Sequence, residues 1–78
     1  MNKDRRKRLA EAAELLEQAL AVISEVKDEE QEAFDNLPES FQQGERGQTM
    51  EEAISNLDDI HIAIEEARDT IAGIAGGA

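Results

Sequence analysis

Met50, Ala53, Leu57, Ile60, Ile64, Ala67, Ile71 and Ile74 follow one another at spacings of three and four residues without a break. A strand would need apolar residues at every second position. Only a long α-helix packed along a seam buries a stripe with this 3-4 rhythm. In heptad terms these residues hold positions a and d. Thr49 and Glu52 form a T-x-x-E capping box, which predicts that the helix starts there. Gly73, Gly76 and Gly77 predict its end. The expected element is a helix over 49–73 with a flexible Gly-rich tail over 74–78.

The seam needs a partner, and the chain supplies one. Residues 4–36 are rich in Ala, Leu, Glu, Lys and Gln and hold no Gly or Pro, a composition that favours helix. With Leu9 as position a, the a and d positions run Leu9, Ala12, Leu16, Ala19, Ile23, Val26, Glu30, Ala33 and Leu37, with Glu30 as the one polar interruption. Pro38 stops this helix and can open a short helical turn that Gly44 ends. Residues 37–48 then form the loop, with Leu37 and Phe41 expected to cap the end of the bundle. The expected fold is all-α, a single antiparallel, coiled-coil-like helical hairpin. Pairing Leu37 with Met50 sets Ile23 beside Ile64 and Leu16 beside Ile71, and leaves the basic residues 3–8 projecting beyond the second helix.

A 78-residue chain is short for a self-sufficient core. It has no Cys, so neither a disulfide framework nor a thiolate metal site is available. The first helix is apolar on four heptad positions through its middle, more than one partner helix covers. Leu15, Leu20 and Val22 on the first helix, with Ile54 and Ile62 on the second, form the expected surplus surface. Dimerisation of the hairpin into a four-helix bundle is its simplest use.

The formal charge is −11, from 8 Lys and Arg against 19 Asp and Glu, and aromatic residues make up 3%. This excludes an ordinary nucleic-acid or anionic-membrane binder and a base-stacking platform. Glu51-Glu52, Asp58-Asp59 and Glu65-Glu66 recur every seven residues at positions b and c, with Asp69 following. They line one face of the second helix at intervals of ~10.5 Å. The bland reading is a solvating surface. The sharper reading is an array of carboxylates that occupies the basic groove of a nucleic-acid-binding protein. Residues 3–8 hold five cations, an isolated basic end read as an exposed terminus that pairs with acids of a neighbouring subunit.

Other chemistry finds little support. His61 stands three residues after Asp58 and four before Glu65, but one such set in an acid-rich helix makes a poor metal site. Glu29-x-x-Glu32 and Glu66-x-x-Asp69 match in type the magnesium-holding pairs of all-α nucleotide pyrophosphohydrolases, without a phosphate-binding Lys or Arg close by. Ser24, Ser40 and Ser55 lack a general base suited to nucleophilic catalysis. The expectation is therefore no catalytic, cofactor or metal site. No apolar run approaches a membrane span, and Glu11 and Glu14 interrupt any signal-peptide core, so a cytoplasmic setting is expected.

The stretch from Asn36 to Ile54, NLPESFQQGERGQTMEEAI, is similar to a segment in short acidic proteins of phages, prophages and mobile elements. There an LPESxQ…ERGxxMEEAI block joins two Glu-rich helices. The resemblance covers about residues 26–67 and implies no catalytic residues. It implies a setting inside a bacterial host cell, as an accessory or counter-defence factor that binds and blocks a host protein. The reading that combines both lines is a non-enzymatic inhibitor. Its acidic face, Glu51, Glu52, Asp58, Asp59, Glu65, Glu66 and Asp69, meets a basic host protein that handles nucleic acid. The alternatives are a plain dimeric scaffold and a helical metal-binding or nucleotide-hydrolysing protein.

Overall fold

The computed structural model describes residues 1–77, which form three helices: α1 (Lys3–Asp35), α2 (Glu39–Gln42) and α3 (Glu45–Gly76). α1 opens on Asn2, whose side-chain oxygen accepts from the Arg5 amide at 2.8 Å. This cap offsets part of the disfavour of placing cations at a positive helix end. At the other end, the Asn36 and Leu37 amides donate to the Glu32 and Phe34 carbonyls, both at 3.0 Å. Pro38 then caps the single turn of α2.

The Gln42 side chain ties this corner together. Its amide nitrogen donates to the Phe34 carbonyl, which also accepts from the Leu37 amide, and to the Leu37 carbonyl, both at 3.1 Å, so one side chain bridges the end of α1 and the turn that follows. Immediately afterwards, Gly44 in extended conformation starts α3. Gly47 is buried against α2, and a Cβ there would stand 2.1 Å from the Gln42 carbonyl oxygen. Only glycine permits this approach.

This corner revises the expected boundaries. α3 begins at Glu45, one turn before Thr49, so Thr49 is not a cap. Its hydroxyl instead donates back to the Glu45 carbonyl at 3.0 Å. The helix also runs through Gly73 to Gly76. Gly73 and Gly76 have open space where a Cβ would point, and a glycine there costs only ~1 kcal/mol against alanine. Most of the expected 74–78 tail is thus helix, and Ala78 lies outside the described residues. Phe41 is half-exposed, so of the two expected capping residues only Leu37 turns inward.

α1 and α3 pack antiparallel in a rod of 58 × 14 × 12 Å. Two ion pairs fix their direction: Glu17 meets Arg68 and Lys27 meets Asp58. Ten residues forward on α1 correspond to ten back on α3. Within one residue of the register these pairs set, the inward-facing residues oppose one another: Ala13 with Ile71, Leu20 with Ile64, Ile23 with His61 and Phe34 with Met50. The expected neighbours Ile23–Ile64 and Leu16–Ile71 are displaced by two to three residues from this register, in step with the early start of α3 at Glu45.

The seam is also rotated from the expected a/d stripe. On α3 the inward residues are mainly a and e, Met50, Ile54, Leu57, His61, Ile64, Arg68, Ile71 and Ala75, with Ala53 the one d residue that stays half-buried. The d residues Ile60, Ala67 and Ile74 are exposed, as are Val26 and Ala33 on α1. A straight helix loses ~20° per heptad against a strict 3.5 repeat, so the inward stripe migrates from d towards e. Leu20, at 4% exposure, and Ala13 are the only buried apolar side chains of α1, and α3 has none among the described residues.

Candidate protein-interaction surfaces

The rotated seam gives the hairpin two unlike sides. Both ion pairs join a b position to an e position, so the b/e flanks of α1 and α3 lie on one side. The d/g flanks consequently share the other. There α1 presents Leu15, Val22, Val26 and Ala33, and α3 presents Ile60, Ala63, Ala67 and Ile74, all exposed. On the ion-pair register Val22 is level with Ala63, and Val26 is within one residue of Ile60, so the two rows form one apolar face.

This face corrects the expected apolar set. Leu15 and Val22 belong to it. Leu20 is buried within the hairpin and Ile54 is half-buried in the a/e seam, level with Glu30. Ile62 is exposed on the opposite side. Val26, Ile60 and Ile74, expected inside the seam, belong on the face instead. The solvent-accessible surface is 5707 Å², ~1000 Å² above the ~4700 Å² of a compact monomer of this mass.

The acidic rows lie on the outer side of α3. Glu51, Glu52, Asp58, Asp59, Glu65, Glu66 and Asp69 are all exposed. Lys27 pairs with Asp58 at 3.0 Å, and Arg68 pairs with Asp69 at 2.9 Å and with Glu17. Asp69 first, then Glu17, hold the Arg68 guanidinium above its ordinary pKa by hydrogen bonding to its charged form. The other five carboxylates of the rows have no ion pair among the described residues.

Ile62 stands in the middle of these rows. Asp58 and Asp59 precede it by four and three residues, and Glu65 and Glu66 follow by three and four. Those are its four nearest neighbours on a helical surface. The side chain is 50% exposed, an apolar knob inside a square of carboxylates. The seven-residue spacing alone puts Ile62 between the doublets; that it stands apart from the d/g face needs the orientation of the seam.

The remaining candidates do not converge. His61 is half-buried in the seam, level with Ile23. Among the described residues no group of three or more His, Asp or Glu side chains is placed to share a metal ion. Glu66 is level with about residue 18 of α1, so Glu29-x-x-Glu32 and Glu66-x-x-Asp69 stand ~15 Å apart along the rod. At the basic end, Met1, Arg5, Arg8 and Leu9 line a shallow open groove. No described helix is long and apolar enough to cross a membrane. No protein-family model, curated protein or solved structure matches the chain.

Proposed function

We propose that the protein is a non-enzymatic protein-binding module, an accessory inhibitor of phage type that acts in the cytoplasm of a bacterial host. It works as a dimeric four-helix bundle. Its α3 acidic face engages a basic surface on a host protein that handles nucleic acid, in the place that phosphates would take. The observation that carries this reading is Ile62 within the square of Asp58, Asp59, Glu65 and Glu66. A face that serves only solubility gains nothing from an exposed isoleucine at its centre. A protein interface does, because a central apolar anchor with a charged surround is the arrangement of a binding hot spot.

Two variants separate the charge from the anchor. Neutralising the outermost row (Glu52→Gln, Asp59→Asn, Glu66→Gln) is expected to weaken capture of the host protein at least ~10-fold and to flatten its salt dependence. Ile62→Ser is expected to weaken capture by a similar factor with the salt dependence intact. Affinity measured against the captured protein checks both. Unchanged binding by either variant contradicts this reading and favours the solvating surface.

A further inference from the structure

We infer that the apolar d/g face is closed by a second copy of this chain lying antiparallel, with α1 against α1 and the two hairpin loops at opposite ends. This inference rests on the dimer proposed above and specifies which face it uses and in which direction.

The size of the face fits a copy of itself. From Arg5 to Ala33 it runs ~42 Å, and two helices side by side make it ~20 Å wide. About 800 Å² per copy is the extent of a standard specific interface. The acidic rows stay outward on both sides of such a bundle, so closing one face leaves the other free.

Charge decides the direction. The d/g row of α1 continues past its apolar part at both ends: Arg5 and Arg8 extend it towards the N-terminus, and Glu29 interrupts it near the loop. Two orientations bring the apolar faces together about a two-fold axis. With the loops at the same end, α1 lies over α3 of the second copy. Arg8 is then level with Gly77, and no carboxylate of that helix lies within a turn of it. The two basic ends also sit side by side. With the loops at opposite ends and the axis between Ala19 and Val22, Leu15 is level with Val26 of the second copy. Arg8 falls within one turn of Glu29 and Glu32 there, and Arg5 within one turn of Glu32. The groove that Met1, Arg5, Arg8 and Leu9 line then receives that acidic stretch. The second arrangement pairs the charge that the first leaves opposed.

One spin label per chain tests this, since the protein has no native Cys. With Asn36→Cys labelled beside the loop, dipolar spectroscopy is expected to give a separation of ~45–50 Å, because each label is about fifteen residues from the axis. A dimeric mass with a separation of ~20–25 Å overturns the antiparallel direction and leaves the dimer standing. A monomeric mass with no dipolar coupling overturns both.

Discussion

Replacing Val22 and Ile60 together by Asp is expected to split the protein into monomers, weakening association by ~10³-fold or more. Val22 is 59% exposed and Ile60 45% exposed in the single hairpin. Surface substitutions of that kind ordinarily change stability by less than ~0.5 kcal/mol. In the proposed dimer the same positions are covered, and full burial of a Val or Ile side chain contributes ~1.5–3 kcal/mol. Two copies lose four such side chains and gain four charges that association must strip of water. The loss therefore exceeds ~4 kcal/mol, which is the ~10³-fold quoted. Sedimentation equilibrium of the double variant checks this. Ile62→Asp serves as the control, because Ile62 lies on the opposite side and its change is expected to leave the mass unaltered.

The second large effect is at the corner. Gly47→Ala is expected to destabilise the protein by ~2–4 kcal/mol. The added Cβ would stand 2.1 Å from the oxygen, 2.5 Å from the carbonyl carbon and 2.7 Å from the Cα of Gln42. These are backbone atoms and cannot rotate away, so α2 must lift from α3 or the first turn of α3 must unwind. Lifting α2 also takes the Gln42 side chain from the carbonyls that end α1. For a domain of this size the shift amounts to a fall in Tm of ~10–20 °C. Gly73→Ala, a helical position with open space around the new methyl, is expected to raise Tm instead. Thermal unfolding followed by circular dichroism compares the two, and equal effects would contradict the account of the corner.

Much of the fold was legible in the sequence because it is written as periodicity. The unbroken 3-4 spacing from Met50 to Ile74 specifies a long helix with a partner, and the Ala- and Leu-rich stretch before Pro38 supplies that partner. The rotation of the seam was not legible. A heptad stripe marks which residues are apolar, and helix twist decides which of them face inward, so Ile60 and Ile74 exchange roles with His61 and Ala75. The start of α3 is not legible for a different reason. Thr49 and Glu52 satisfy a local capping rule, but the first turn is set by a tertiary contact, Gly47 against Gln42, that no local rule encodes. The acidic rows were readable as a face from their seven-residue recurrence. Their relation to an apolar side needed the ion pairs Glu17–Arg68 and Lys27–Asp58, which fix how the two helices are turned.

The central claim is that this hairpin is two-sided, with one side closed by its own copy and the other displayed to a partner. Light scattering of the unmodified protein across micromolar concentrations tests it most directly. The expected mass is twice 8.6 kDa, about 17 kDa. A constant 8.6 kDa throughout that range, with the helical signal intact, would contradict it.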